Sequence, residues 1–190
     1  MQLFGMTSAE HKLTLNQSEL DECLYQIALG EKSALAELFD ATKASVYGFV
    51  LSIVRNAFDA EDVLQETYVK IWSAAEGYSS QGKPMAWILT IAKNLATSVL
   101  RERNKTAELP EDDRQGCYAE SPGLSCEEKM VLTAAMQQLS LPERQIVMLH
   151  AVSGLKHIEI AQLMSLPLST VLSKYSRAKK KLQAGLKEGN

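Results

Sequence analysis

The chain has 190 residues, 23 acidic against 20 basic side chains and a formal net charge of −3. That length suits one large or two small domains, and the mildly acidic balance excludes a protein that simply coats nucleic acid, which would be basic throughout. No apolar run is long enough to cross a bilayer, and the opening MQLFGMTSAEHK lacks the apolar stretch of a signal peptide, so the expectation is a cytoplasmic protein without direct membrane insertion.

Residues 1–16 show no pattern and stand as an unassigned tail containing His11. From 17 to 105 helical patterns alternate with short breaks, and the alternation typical of strands is absent. Cys23 falls on an apolar helix face with Leu20, Leu24 and Ile27 and reads as core. In the stretch Asp59 to Trp72, DAEDVLQETYVKIW, the residues Ala60, Val63, Leu64, Thr67 and Ile71 form one stripe. Asp59, Glu61, Asp62, Gln65 and Glu66 are left as an acidic patch near the helix start. Acids there suit the helix dipole, but four like charges exceed what capping needs and point to a basic protein partner.

After a break at Gly77 to Pro84, the segment MAWILTIAKNLATSVLRER predicts a helix with Ile88, Ile91, Ala92, Leu95 and Val99 inward and Thr90, Lys93, Asn94, Thr97 and Arg101 outward. The outward face offers donors and positive charge without carboxylates, which suits phosphate contact. The preceding Tyr78, Ser79, Ser80, Gln81, Gly82 and Lys83 supply small polar groups and an aromatic of the kind that holds unstacked bases, although taken alone this is an ordinary loop.

Residues 106–125 hold Pro, Gly and several carboxylates with little apolar periodicity and read as a flexible acidic linker. Residues 126–190 resume helical patterning. Within them KHIEIAQLMSLPLSTVLSKYSRAKKKL reads as a helix-turn-helix. Ile160, Ala161 and Met164 line the first helix, and Leu166 and Pro167 shape the turn. Ser169 or Thr170 is expected to cap the second helix. Val171, Tyr175, Ala178 and Leu182 face inward there, leaving Thr170, Ser173, Lys174 and Arg177 outward. An amphipathic helical hairpin with a solvated basic end has the same spacing. The fold expected is all-α, with two small helical domains joined by the linker.

Charge is segregated along this order. Residues 168–190 carry six Lys and Arg against one Glu, and residues 81–105 five against one, whereas residues 1–80 carry five against twelve and 106–128 one against seven. Two basic segments, each preceded by an acidic block, suit a protein that touches DNA at two places and a different partner with its acidic surface. No nucleotide-binding glycine loop, nucleophile elbow or H-E-x-x-H sequence occurs, so no catalytic residue and no cofactor are assigned and the chain is not expected to be an enzyme. Three cysteines, an odd number without a C-x-x-C pair, fit a reducing compartment. A disulfide between Cys117 and Cys126, or a metal held by them with His150 and His157, is a weak alternative, and no metal site is assigned.

DAEDVLQETYVKIW, WILTIAKN and LPERQIVMLHAVSGLKHIEIAQLMSLPLSTVLSKYSRAKKKL, in that order, resemble the bacterial extracytoplasmic-function (ECF) RNA polymerase sigma factors over roughly 17–105 and 127–186. The resemblance implies sigma region 2 at 17–105, the linker at 106–125 and sigma region 4 at 126–190. It implies core RNA polymerase and promoter DNA as partners, together with an anti-sigma factor, typically anchored in the inner membrane. Asp62, Gln65 and Glu66 match the helix that docks on the clamp of the largest polymerase subunit. Ser79, Ser80, Gln81 and Lys83, with Lys93, Asn94, Thr97 and Arg101, match the segment that melts promoter DNA and holds its single strand. Thr170, Ser173, Lys174 and Arg177 match the helix that reads the upstream duplex element.

Four departures from the family pattern bear on function. Ser169 stands where Gly is common and Leu172 where Lys or Arg is common, so one polar contact in the duplex-reading set Ser169–Arg177 becomes apolar. Ser165 replaces the usual turn glycine, and Thr97 with Ser98 stands where an acid is often found. The alternative reading is a two-domain regulator that binds an operator as a dimer, which would need neither the acidic helix nor the melting segment.

Overall fold

The computed structural model describes residues 15–106 and 134–188. The linker beyond Thr106, Cys117, Cys126 and His11 lie outside the described residues. Among the described residues there is no strand. The elements are α1 (Gln17–Ala28), α2 (Lys32–Val54), α3 (Ala57–Ala74), α4 (Pro84–Thr106), α5 (Leu141–Val147), α6 (His157–Met164) and α7 (Leu168–Glu188). A 3-10 turn at Ala75–Gly77 follows α3, a π-helical turn at Met148–Val152 follows α5, and 134–137 are helical.

Local chemistry sets the helix starts. The Asn16 side chain accepts from the amides of Ser18 at 2.9 Å and Glu19 at 3.1 Å, and the Glu19 carboxylate takes the Asn16 amide at 2.7 Å. This capping box fixes α1, and Leu15 before it packs on the core. Asn56 caps α3 by accepting from the Asp59 amide at 3.1 Å, and Pro84 opens α4 where its missing N–H is harmless. Ser140 and Glu143 form a second capping box at α5.

Helix α2 is the centre of the fold. From Val46 to Val54 all but Tyr47 are buried, because α1, α3 and α4 cover it on several sides; a helix apolar all round belongs inside. A deep polar knot joins Thr42, which donates to the Leu38 carbonyl at 2.6 Å and meets the Tyr68 hydroxyl at 2.7 Å. Burial pushes the Tyr68 phenol well above its ordinary value.

The two helical regions touch, which no periodicity foretold. Gly48 of α2 lies against the π turn so closely that a Cβ there would stand 2.6 Å from the Met148 methyl. Three residues away, the Ser45 hydroxyl donates to the Val152 carbonyl at 3.1 Å. Ile146, Leu149, Leu155, Ile160 and Val171 consequently share one continuous core with α1–α4. A smaller cluster of Met136, Leu139, Val147, Met148 and Ala178 fastens α7 to α5.

Candidate nucleic-acid interface

The stripe expected on α3 is buried at Ala60, Val63, Thr67 and Ile71, joined by Tyr68, while Leu64 is half-buried. Glu61, Asp62, Gln65 and Glu66 are exposed and make no ion pair with any described residue. Asp59 differs from its neighbours. It is half-buried and pairs with the Arg103 guanidinium at 3.3 Å, so it joins α3 to α4 instead of facing outward. The charge pattern also passed over Phe58 and Val69, which are 72% and 61% exposed. Val69 follows Gln65 and Glu66 by one turn, which adds an apolar strip to the acidic face.

The loop between α3 and α4 holds Ser79, Ser80, Gln81 and Lys83 at the surface. Tyr78 is not a free platform for bases: its hydroxyl donates to the Asp21 carboxylate of α1 and its ring packs on Trp87 with centroids 4.8 Å apart. Burial, and then the Asp21 bond, push its phenol well above its ordinary value. The loop is thereby hinged on a fixed ring pair. Along α4, Thr90, Asn94 and Arg101 are exposed, but Thr97 is half-buried and donates to the Lys93 carbonyl at 2.7 Å.

Lys93 does not face solvent as the periodicity predicts. It is half-buried, and its ammonium donates to the Leu163 carbonyl at the end of α6 at 2.7 Å. The buried set on α4 also extends to Met85, Leu89 and Ala96, and α4 packs on α6 as well as on α2 and α3. Between the loop, α4 and α6 lies a cavity of 470 Å³, with Tyr78, Trp87 and Thr90 on one side and Glu159, Gln162 and Leu163 on the other.

The C-terminal hairpin buries Ile160, Ala161, Val171 and Ala178. Ser169, Leu172, Ser173 and Arg177 are exposed, and Thr170 and Lys174 half-buried. The expected cap at Ser169 or Thr170 is not formed. Helix α7 starts at Leu168, with the Pro167 carbonyl accepting from the Val171 amide at 3.1 Å. The Leu166 amide bonds back to Ala161 at 3.0 Å, which closes the turn early and places both hydroxyl residues inside the first helical turn. Ser165 takes φ 55° and ψ 44°, so the turn keeps the left-handed geometry that glycine adopts without strain.

Two polar clusters support α7. The Glu143 carboxylate, 4% exposed, binds Lys181 at 2.7 Å and the Ser140 amide and hydroxyl at 3.0 and 2.9 Å. Burial alone would raise its pKa, but Lys181 and Ser140 outweigh it and hold the carboxyl at about 2. Lys181 thus belongs to packing. His150 and His157 stack with centroids 4.3 Å apart, and both meet the Tyr175 ring. His150 Nδ1 lies 2.9 Å from the Leu155 carbonyl, whereas His157 Nε2 is buried without a hydrogen-bond partner among the described residues. Burial, and then the neighbouring His150, push the His157 imidazole below its ordinary value.

Residues 38–106 match sigma-70 region 2 and residues 129–182 match sigma-70 region 4. The pairing of these two regions in one all-helical chain defines a sigma factor of the sigma-70 class. Over 175 residues the chain is 30% identical to the ECF RNA polymerase sigma factor SigK of Mycobacterium tuberculosis strain H37Rv, covering 87% of this chain and 92% of that protein. SigK of Mycobacterium sp. strain KMS is 28% identical over 172 residues, covering 86% and 88%. The chain belongs to the ECF RNA polymerase sigma factors: it binds core RNA polymerase and directs transcription initiation at promoters. The fold is similar to that of CnrH, solved in complex with the cytosolic domain of CnrY, at 20% identity and a TM-score of 0.63, covering 90% of this chain and 99% of that one. It is equally similar to RpoE of Bartonella quintana, solved with the anti-sigma factor NepR, at 23% identity and a TM-score of 0.63, covering 90% and 96%.

Proposed function

We propose that the exposed α3 face formed by Glu61, Asp62, Gln65 and Glu66 docks on a basic surface of core polymerase, with Asp59 holding the helix against α4. In this reading 17–105 act as the docking and melting domain, 126–190 as the duplex-reading domain, and 106–125 as an acidic tether. Ser79, Ser80, Gln81 and Lys83 with Lys93, Asn94, Thr97 and Arg101 take the melted single strand. Ser169, Thr170, Leu172, Ser173, Lys174 and Arg177 face the upstream duplex, where the exposed Leu172 suits a thymine methyl. The observation that carries the reading is the separation of an exposed acidic face on α3 from donor-rich faces on α4 and α7.

Opening DNA here needs no chemistry by the chain itself. Binding energy to unstacked bases offsets a cost of about a few kcal/mol per step, and polymerase carries out nucleotide transfer. The protein is accordingly a cytoplasmic binding factor without catalytic residues or cofactor. Two proteins of the same fold were solved in complexes, RpoE with the anti-sigma factor NepR and CnrH with the cytosolic domain of CnrY; an anti-sigma factor, membrane-anchored or soluble, is the corresponding regulator of this chain. In vitro transcription with core polymerase on a library of promoter fragments tests the reading. Transcripts from a subset sharing two spaced elements are expected; tight DNA binding without any transcript favours an operator-binding regulator.

A further inference from the structure

Beneath the outer face of α7 three rings meet. His150 of the π turn and His157 at the start of α6 stack with centroids 4.3 Å apart, and the Tyr175 ring of α7 stands against them at 4.9 and 4.8 Å. Tyr175 packs on the large core and on the smaller cluster alike, and in sequence it lies between Lys174 and Arg177. Its seat therefore sets how the helix presents those cations. All three rings belong to 126–190, so the arrangement travels with that region.

The rings fit together while they are uncharged. A carbonyl can only accept, so the 2.9 Å contact with Leu155 assigns the proton of neutral His150 to Nδ1. His157 Nε2 is buried with no hydrogen-bond partner among the described residues. An imidazolium carries N–H on both nitrogens, so protonating His157 leaves a charged donor unmet. Attraction of that cation to the Tyr175 ring offsets part of the cost. Carboxylates on the surrounding elements are engaged elsewhere: Glu159 on α6 accepts from the Lys156 amide at 2.8 Å, Glu143 on α5 holds Lys181 at 2.7 Å, and Asp40 on α2 pairs with Lys43 at 2.7 Å. Arg144 of α5 donates to the Met136 and Leu139 carbonyls at 3.2 Å. Lys156 beside His157 and Lys174 beside Tyr175 add positive charge, which disfavours a further cation.

From this cluster, and resting on the assignment of α7 to duplex reading made above, we infer that His150, His157 and Tyr175 are positioning residues: protonation of the imidazoles in acid unseats Tyr175, lets α7 shift and lowers affinity for the upstream duplex element. The sign separates this role from a generic one. A histidine on a DNA-facing surface gains affinity for phosphate when it takes a proton, whereas this pair lies under the helix and does the reverse. Burial and His150 lower the His157 value in the seated form, so seating is complete above the ordinary 6.5 and weakens as pH falls below it. With about one chain in ten unseated at neutral pH, a proton taken up only by the unseated form raises the unseated-to-seated ratio about thirtyfold at pH 5 and lowers apparent affinity about fourfold.

Holoenzyme reconstituted with core polymerase is titrated onto a fluorescent duplex that carries the upstream element and stops short of the start-site element, at pH 7.5 and at pH 5. The parent should weaken about fourfold relative to His157→Gln, which keeps a polar side chain that takes no proton in this range. Equal pH dependence of the two, or a parent that gains affinity in acid relative to the variant, overturns the inference. Backbone amide NMR of the parent chain needs no substitution and decides the matter if His157→Gln does not fold. Amides from Lys174 to Arg177 should shift in step with the His157 ring as it titrates; amides that stay fixed through that titration overturn the inference as well. Failure of the duplex-reading assignment looks different: Arg177→Ala holoenzyme then binds the same duplex like the parent at pH 7.5.

Discussion

Replacing Glu143 by Gln removes one charge from the joint that fixes α7 on α5. The carboxyl is 4% exposed and held at about 2 instead of the usual 4.5, a displacement worth about 3 kcal/mol at neutral pH. The net loss is smaller, because the Lys181 side chain is 44% exposed and water takes up its charge when the pair breaks; about 2 kcal/mol remains. For a chain of this size that lowers the melting temperature by about 4–8 °C, measurable by circular dichroism at pH 7. The sign with pH follows from the depressed value: the contribution is complete above 4.5 and is lost as pH falls toward 2. Parent and variant should therefore converge in acid. A variant that melts with the parent at pH 7, or a gap that persists undiminished in strong acid, refutes the account of this joint.

Asp62→Lys and Glu66→Lys, both exposed, should leave melting temperature unchanged and weaken core polymerase binding by about thirtyfold each; unchanged affinity in a competition assay removes the docking assignment. Arg177→Ala should weaken binding to duplex with the upstream element by about tenfold and lower the salt slope by about one, read by anisotropy titrations at several salt concentrations. Ser165→Gly relieves a left-handed residue at φ 55° and should stabilise the chain by about 1 kcal/mol, seen as a raised urea midpoint. His157, held below its ordinary 6.5 by burial and His150, binds its proton less readily folded than unfolded, so stability should fall as pH drops below 6.5. His157→Phe, packed on the same Tyr175 and His150 rings, should reduce that slope in pH-dependent urea melts.

Periodicity carried the parts of the fold that depend on a single helix burying one face. Ala60, Val63, Thr67 and Ile71 on α3 and Val171 and Ala178 on α7 are buried as their spacing requires. It failed where a second surface arrives from a distant part of the chain. Leu89 and Ala96 look peripheral to the apolar stripe of α4 yet are fully buried, and Lys93 looks solvated yet caps α6. Charge counting likewise found the acidic end of α3 but grouped Asp59 with its neighbours, since nothing in the local pattern reveals Arg103 more than forty residues away, at 3.3 Å. The start of α7 departs from its local signal for a related reason: hydroxyl residues signal a cap, but Leu166 closes the turn first through its bond to Ala161.

The tie between Tyr78 and Asp21 separates two meanings of the word domain. The segment that matches sigma-70 region 2 begins at residue 38, after α1 has ended. The loop that presents Ser79 to Lys83 takes its position from an anchor on α1, so the mechanical unit is longer than the recognisable one. A fragment cut at the recognisable boundary would keep every assigned DNA-facing side chain of that region and lose the post to which its loop is moored. Chimeras that exchange melting loops between relatives would therefore need to carry the first helix with the loop, as a matched pair, for the grafted specificity to arrive intact.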